Sequence, residues 1–204
     1  MHVDHLIYAA PDLEAAVADL ADRLGVRAAG GGQHVGQGTH NRLLALGPRT
    51  YLEIVAPDPR QPEPGAPRPY GVDGVTHPGL VGWALECEDV AVAVSRARES
   101  GFDPGDPIAG QRLTPEGTWL RWRLSRNALA AGVVPFLISW GDTEHPAATA
   151  PAGLMLVSVT VEHPNPDSVR GAISALGGHP EVRVAPRPAL VTRIRGPRGE
   201  VDLR

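Results

Sequence analysis

The chain has 204 residues, a formal net charge of −4 at neutral pH and an apolar content of 42%. This length can bury a substantial core as one domain or as two closely packed halves. The charge offers no basic surplus to neutralise phosphates, so nucleic acid is excluded as an expected partner. No stretch approaches the roughly 18 apolar residues that cross a bilayer, and the N-terminus lacks a secretory pattern. We therefore expect a cytoplasmic protein that does not bind membranes.

The residue types also exclude several kinds of chemistry. All 19 cationic residues are arginines, which removes lysine Schiff bases and lysine-dependent phosphate loops from consideration. The single Cys87 excludes an internal disulfide and a thiolate zinc cluster within one chain. Ser125 and Ser139 lack the GxSxG pattern of a hydrolase nucleophile. Histidines and carboxylates are left as the main candidates for a site.

The first element is a strand from residue 3 to residue 10. Its period of two predicts one face formed by His5, Ile7 and Ala9, and an opposite face formed by Asp4, Leu6 and Tyr8. A helix is predicted over 13–24, because apolar residues recur at helical spacing between Asp12, a good N-cap, and Gly25, a good stop. Short strands follow at 26–29, 40–46 and 51–55. The first unit therefore reads as strand, helix and three strands.

This order of elements recurs along the chain. A second unit contains a strand at 80–87, a helix at 90–100 and strands at 119–124 and 135–140, and a third, shorter unit follows it. We predict an α+β fold of tandem β-α-β-β-β modules that form a cupped, partly open mixed sheet. The predicted boundaries are a first module at 1–56, a Pro-rich linker at 57–79, a second module at 80–142, a linker at 143–153 and a third, partial module at 154–204.

His5 and Glu53 are the leading candidates for a functional site. Each lies in a short apolar segment that reads as a buried strand, where an unpaired polar group would be costly. The alternation of the second segment places Tyr51, Glu53 and Val55 on one strand face. We predict that His5 and Glu53 project into a shared hollow and act there as catalytic groups. A plain buried hydrogen bond between them is the competing interpretation.

Further side chains are candidates for ligand contacts. The tryptophans all lie in the second unit and could form an aromatic wall, although filling of a core is the stronger explanation. Arg121 could hold a carboxylate as a planar fork, or it could be a solvated strand residue. Histidines and an asparagine near the glycine-rich turn could line the hollow or face solvent. The predicted ligand-binding residues are His34, His40, Asn41, Trp83, Trp122, Trp140 and Arg121.

Three segments carry a resemblance to a known family. They are VDHLIYAAPDLEAAV, HVGQGTHNRLLALGPRTYLEIVAPDP and VVPFLISWGDTEHP. With the repeated element order, they resemble the glyoxalase-like domains of the vicinal oxygen chelate superfamily, which includes glyoxalase I, extradiol dioxygenases and fosfomycin-resistance proteins. The resemblance covers most of residues 1–146. It implies a cupped barrel of two modules in which ligands from the first and last strands of each module hold a divalent metal.

Carried over by position, the resemblance makes His5 and Glu53 metal ligands from the first module. The second module departs from the pattern, because aligning Asp12 with Asp89 places Gly82 where its histidine would stand. Its glutamate position falls at Ile138 or Ser139. His40 would complete a three-ligand site with His5 and Glu53 if the strands curve to bring it inward. The metal implied is divalent: Zn, Mn, Fe or Ni.

Three functions stay open at this point. One is an enzyme with metal-assisted lyase, isomerase or dioxygenase chemistry on a small organic molecule. The second is a metal-free protein that binds or sequesters such a molecule without catalysis. The third is a structural protein that forms a homodimer, because the third module has no obvious partner inside the chain. The sequence does not decide whether the protein is an enzyme.

Overall fold

A computed structural model describes residues 1–114, 117–129 and 132–204. It contains twelve strands, three α-helices and three short 3₁₀ helices. The first module comprises β1 (Val3–Ala9), α1 (Leu13–Leu24), β2 (Ala29–His34), β3 (Thr39–Gly47) and β4 (Thr50–Pro57). The second comprises β5 (Gly79–Glu86), α2 (Val90–Glu99), β6 (Pro107–Leu113), β7 (Trp119–Ser125) and β8 (Phe136–Ser139). The third comprises β9 (Met155–His163), α3 (Pro166–Ala175), β10 (Glu181–Val184), β11 (Ala189–Gly196) and β12 (Gly199–Leu203).

The two helices of the first and second modules begin at aspartates. The side chain of Asp12 accepts a hydrogen bond from the backbone N–H of Ala15, and Asp89 does the same for Ala91. Each bond satisfies a helix N–H that has no partner inside the helix. Helix α1 ends at Gly25, which adopts φ 83°, as the sequence predicts.

Eight strands of the first two modules close into a barrel in the order β1-β4-β3-β2-β6-β7-β8-β5. The predicted fold class is confirmed, and the sheet is closed where a partly open one was expected. The closure arises because the modules join at two places, where β1 pairs antiparallel with β5 and where β2 meets β6. The barrel therefore has an interior to which both modules contribute.

Two strands differ from the prediction. Strand β2 includes the glycines of residues 30–32, for which the sequence predicts a turn. Strand β6 was not predicted, because its residues include Pro107 and Gly110 and show no regular alternation of apolar and polar side chains. It forms by pairing with β7 along its whole length, from Pro107 opposite Ser125 to Leu113 opposite Trp119. Pairing with a neighbour thus overrides a weak local preference.

The third module repeats the order of elements but not their pairing. In the barrel modules, the first strand pairs in parallel with the last strand of the same module. In the third module, β9 instead lies between β10 and β11, and the sheet order is β10-β9-β11-β12. These four strands therefore form a second sheet that is not hydrogen-bonded to the barrel.

The third module packs against the outside of the barrel. Leu190, Ile194 and Leu203 belong to the same buried cluster as Leu24 of α1 and Leu85 of β5. The expectation that this module has no partner inside the chain is therefore wrong, because its apolar face is covered by the barrel and its helices.

Side chains alternate across the barrel wall as the period of two predicts. In β1, Leu6 and Tyr8 join the outer cluster beneath the helices, while Ile7 and Ala9 join the inner cluster. In β4, the inner cluster contains Tyr51 and Val55 on either side of Glu53. The inward faces of β1 and β4 are thus those expected from sequence.

The Pro-rich segment between the modules is not an unstructured linker. It contains a 3₁₀ helix at Pro69–Gly74 and buries Val72 at 2% exposure. Arg68 fastens it by donating to the carbonyl of Gly38 and pairing with Asp73 and Glu63. The segment therefore forms part of the barrel's packing. No helix within the described ranges is long and apolar enough to cross a membrane.

Candidate functional site

The barrel interior contains a narrow cavity, with about 380 Å³ of empty space when the open solvent at its mouth is included. Both modules and the segment between them contribute to its wall. The lining combines histidine, carboxylate, amide and guanidinium groups with aromatic and aliphatic side chains. The lining residues are His5, His34, Asn41, Leu43, Tyr51, Glu53, Tyr70, Arg112, Trp122, Leu124, Phe136, Ile138 and Trp140.

A β-bulge at the start of β1 places Asp4 beside His5. The pairing of β1 with β5 shifts between Val3, opposite Leu85, and His5, opposite Ala84. Asp4 is the extra residue, and a bulge re-aims the side chain at its position. The prediction that Asp4 lies on the face opposite His5 is therefore wrong. The Oδ1 atom of Asp4 lies 2.6 Å from Nδ1 of His5.

Asp4 is fully buried and is surrounded by hydrogen-bond donors. Its Oδ2 accepts from Nε1 of Trp140 at 3.0 Å and lies 3.1 Å from Nε2 of His145. The other ring nitrogen of His145 accepts from the backbone N–H of Ala147, so Nε2 carries the proton and donates to Asp4. Burial alone would raise the pKa of Asp4. The hydrogen bonds from His145 and His5 outweigh burial and hold this pKa well below its usual range.

This carboxylate fixes the tautomer of His5. Because Asp4 is ionised, Nδ1 of His5 carries a proton and donates it, which leaves Nε2 as the nitrogen on the cavity side. The ring is held between Tyr51, stacked at 4.7 Å, and Phe136, which meets it edge-on at 5.4 Å. Nε2 lies 3.9 Å from Oε2 of Glu53. His5 and Glu53 therefore share the hollow, as predicted.

The other oxygen of Glu53 is held by an amide. Nδ2 of Asn41 donates to Oε1 of Glu53 at 2.7 Å and lies 3.3 Å from Nε2 of His34, while Oδ1 of Asn41 accepts from the N–H of Gly32. Nδ1 of His34 lies 2.9 Å from Oγ1 of Thr39. Burial lowers the pKa of His34 despite the opposing charge of Glu53, so its ring is neutral. Asn41 thus bridges His34 and Glu53.

Three of the predicted contact residues lie away from the cavity. Strand alternation turns His40 outward to the region of Asp58 and Arg60. Trp83 is buried in the outer cluster and donates to the carbonyl of Val133. Arg121 is exposed on a surface cleft beside β7. By contrast, Trp122 and Trp140 line the cavity, with ring centroids 5.4 Å apart.

Other residues of the site were not predicted. The alternation that identified Glu53 also placed Tyr51 on the same strand face and could have identified it as a site residue. Tyr70 comes from the supposed linker, and His145 comes from a loop. No local sequence signal points to either, because their positions depend on how distant segments pack.

The barrel's internal symmetry shows what replaces the ligands expected from the second module. Asp12 and Asp89 both cap the helix that follows the first strand of their module. Aligning these two caps makes Gly82 equivalent to His5 and Ala84 equivalent to Ile7. Ile7 lies opposite Glu53 in the first module, and Ala84 lies opposite Phe136 in the second. Phe136 is therefore equivalent to Glu53. The assignment to Ile138 or Ser139 is therefore wrong by two or three residues, because the pairing of β5 with β8, and not the position along the chain, fixes the match.

The residues around the cavity do not fit a tightly held divalent metal. Gly82 and Phe136 offer no donor atom, and His40 faces outward. Nε2 of His34 already faces the amide of Asn41. Among the described residues, only Asp4, Glu86 and His145 bring donor atoms within 4.8 Å of one another, so His5, Glu53 and His34 as placed cannot contact one ion together. Two ligands, His5 and Glu53, remain, and two are too few for tight binding.

The Asp4, Glu86 and His145 group is occupied by protein contacts. Asp4 accepts from three side chains, and Glu86 pairs with Arg49 and His2. An ion there would have to displace these partners. The geometry instead favours proton transfer, because the site holds an oriented imidazole, a carboxylate and apolar walls.

Comparisons with known proteins agree with the architecture. A family model described as a glyoxalase-like domain matches residues 3–177. A hypothetical protein from Staphylococcus aureus is 16% identical, with a TM-score of 0.62 over 94% of this chain and 80% of that one. A mutant 4-hydroxymandelate synthase from Streptomyces coelicolor is 17% identical, with a TM-score of 0.50 over 98% and 61%.

Methylmalonyl-CoA epimerase from Mycobacterium tuberculosis is 20% identical, with a TM-score of 0.44 over 67% of this chain and 86% of that one. No curated protein matches the sequence. At these identities the solved structures show the fold alone, so the argument for function depends on the cavity itself.

Proposed function

The chain belongs to the glyoxalase-like domain family. On this basis, we propose that its barrel cavity binds a small organic molecule and that His5 and Glu53 accept a proton from this molecule and return one to it. The reaction class is a lyase or isomerase reaction that needs no redox partner. Family membership alone does not carry this proposal, because one fold supports many chemistries.

The hydrogen bond between Asp4 and His5 is the observation that carries the proposal. Asp4 keeps the proton of His5 on Nδ1, so the lone pair of Nε2 faces the cavity and can accept a proton from a bound molecule. After transfer, the imidazolium would lie between two carboxylates, Asp4 and Glu53, which stabilise its charge. An imidazole held only for packing would not need a buried anion behind it.

Glu53 is the second proton-transfer group of the proposal. Its Oε2 lies on the same side of the cavity as His5, while its Oε1 is held by Asn41. A carboxylate fixed at one oxygen keeps the other in a constant position toward a ligand. The aromatic rings of Trp122 and Trp140 add apolar surface to the lining of the same cavity.

Binding without catalysis is the second candidate, and the aromatic lining favours it. Tyr51, Trp122, Phe136 and Trp140 could hold a flat molecule with no chemical step. Metal-assisted chemistry has weaker support, because the cavity supplies two ligands of the four that zinc prefers.

The two candidates differ in what His5 does. We expect tryptophan fluorescence to report binding of small ketones, aldehydes and hydroxy acids, because Trp122 and Trp140 line the cavity. In D₂O, proton NMR should then show protein-catalysed exchange of a ligand C–H. His5→Gln and Glu53→Gln should each slow this exchange by about 100-fold or more, while the fluorescence response changes by less than about tenfold.

His40→Gln is the matched control, since it removes an outward-facing histidine of the same module. Excess EDTA should change neither binding nor exchange. Binding without exchange in the wild-type protein would favour sequestration. Exchange that EDTA abolishes would favour metal-assisted chemistry over our proposal.

A further inference from the structure

Two phenols line the cavity without a protein partner. Tyr51 is 4% exposed and Tyr70 is partly buried, and both belong to the cavity wall. Within the described residues, neither hydroxyl makes a hydrogen bond. Every fully buried side-chain nitrogen or oxygen in the same part of the chain has a partner. These two hydroxyls are therefore not sealed in the core but open to the cavity, where a ligand atom can accept from them.

The two rings bracket the proton-transfer site. Tyr51 stacks on His5, with ring centroids 4.7 Å apart and planes inclined by 17°. Phe136 meets the other side of His5, and Tyr70 stacks on Phe136 at 6.4 Å and 23°. The order of rings is thus Tyr51, His5, Phe136, Tyr70. Both phenols therefore line the same cavity as the ring of His5.

The backbone of Tyr70 supports a role in binding. Tyr70 adopts φ 62°, and it is the one non-glycine residue in the described chain with positive φ. This conformation costs on the order of 1 kcal/mol for a residue with a side chain. Neighbouring Pro69 and Val72 are buried, and they hold the turn that directs Tyr70 into the cavity. Strained residues of this kind are concentrated at binding and active sites.

Both phenols are neutral donors near neutral pH. Burial raises the pKa of Tyr51 well above its usual value, and the charges of Asp4 and Glu53 raise it further. Burial followed by the charge of Glu53 raises the pKa of Tyr70 in the same direction. A protonated phenol donates one hydrogen bond, and its best acceptor is an oxygen with negative charge.

We propose that Tyr51 and Tyr70 donate hydrogen bonds to a substrate oxygen that becomes negatively charged, and that the substrate is a small carbonyl compound with a hydrogen on the adjacent carbon. This rests on the proposed function. The C–H proton passes to Nε2 of His5, the electron pair of that bond forms a C=C bond, and the carbonyl electrons move to oxygen. The two phenols stabilise the resulting enolate, and the proton returns to carbon from His5 or Glu53.

The two phenols would stabilise the negatively charged substrate oxygen in a cavity that lacks the full set of ligands for a metal ion. At the positions equivalent to His5 and Glu53, the second module carries Gly82 and Phe136, and Phe136 supports the ring of Tyr70. Hydrogen-bond donors held in fixed positions inside a cavity are effective at stabilising an oxyanion. The replacement of a ligand position by an aromatic ring is thus consistent with a metal-free way of holding the oxygen.

The test uses 4-nitrophenolate, whose oxygen carries the charge distribution of an enolate and whose absorbance changes on binding. Tyr51→Phe and Tyr70→Phe should each weaken its binding by about tenfold, the effect of one hydrogen bond to a charged acceptor. Tyr8→Phe is the matched control, because Tyr8 is the remaining tyrosine and faces the outer cluster. Binding to Tyr8→Phe should equal that of wild type.

Exchange of the methyl protons of acetophenone in D₂O separates this inference from the proposed function. His5→Gln should slow exchange by about 100-fold or more yet keep most of the affinity for 4-nitrophenolate, while the two Tyr→Phe variants should show both slower exchange and weaker phenolate binding. Equal phenolate binding by wild type and by all three Tyr→Phe variants would overturn the inference, even if exchange depends on His5. Absence of phenolate binding by wild type would overturn it as well.

Discussion

At the residue scale, the site depends on a buried carboxylate that sequence alternation assigned to the wrong face. Asp4 has no exposed surface and accepts from His5, Trp140 and His145. An ionised group in such a place is costly unless its donors are complete, so the three contacts form one unit. Removal of any one donor should disturb the other two.

Asp4→Asn should destabilise the protein by about 2–4 kcal/mol at neutral pH, because it removes a charge that three donors surround. The folded-state pKa of Asp4 is lowered, so its contribution is present above the unfolded-state pKa of about 4 and is lost as the pH falls further. Urea unfolding at pH 7 and pH 3 should therefore show a smaller difference between wild type and variant at pH 3.

Asp19→Asn is the control for this prediction. Asp19 pairs with Arg23 one helical turn later on an exposed face, and such pairs contribute less than about 1 kcal/mol. A loss from Asp4→Asn that matches the loss from Asp19→Asn, or that grows toward acid pH, would contradict the account of the buried network.

At the element scale, period-two patterns predicted much of the wall. Alternation placed Tyr51, Glu53 and Val55 on one face of β4, and the structure bears this out. Alternation failed at Asp4, because Asp4 is the extra residue of a bulge that is defined only when β1 pairs with β5. Tyr70 and His145 lie in segments without regular alternation, so no repeating pattern can predict which way their side chains face. Such positions follow only from tertiary packing.

The glycines of strand β2 allow this strand to approach Asn41 closely. Gly31 adopts φ 80°, and a Cβ there would overlap the carbonyl oxygen of Asn41. Gly31→Ala should therefore cost roughly 3 kcal/mol and displace Asn41, which holds Glu53. The measurements are urea unfolding and the affinity for the 4-nitrophenolate probe.

Gly30→Ala is the matched control for Gly31→Ala. Gly30 also has positive φ, at 63°, but nothing lies within 4 Å of a Cβ there. This variant should lose about 1 kcal/mol from backbone strain and keep its affinity for the probe. Equal losses in the two variants would show that the approach of β2 to Asn41 has no effect on the site.

At the scale of the whole molecule, two similar modules contribute unequally to one cavity. The first supplies His5 and Glu53, and the second supplies Gly82 and Phe136 at the equivalent positions. The sequence identified the loss of the histidine from the spacing to Asp89. It could not identify Phe136, because the lengths between helix and last strand differ between modules and only the strand register fixes the match.

This symmetry predicts that a metal cage can be rebuilt. The double variant Gly82→His, Phe136→Glu should bind one Zn²⁺ or Mn²⁺ at least about 100-fold more tightly than wild type, because four ligands then face one point. Without metal it should have a lower Tm, since a carboxylate replaces a buried ring. Added metal should restore the Tm. Calorimetric titration and thermal unfolding measure both effects.

Gly82→His with Phe136→Gln is the control, because an amide has a similar shape but is a poor ligand for zinc. If this control and the double variant bind metal equally, the equivalence of Phe136 and Glu53 is incorrect. Because the variant alters a cavity wall, the 4-nitrophenolate affinity should also fall.

The position of Tyr70 has a consequence for how such a protein can change its preference for ligands. This wall of the chamber comes from the connection between the modules, while the imidazole and the carboxylate come from strands whose register is fixed on both sides. Connections tolerate changes in length and sequence far better than paired strands do. Under the proposed function, changes in this connection would alter which ligand is preferred and would leave His5 and Glu53 in place.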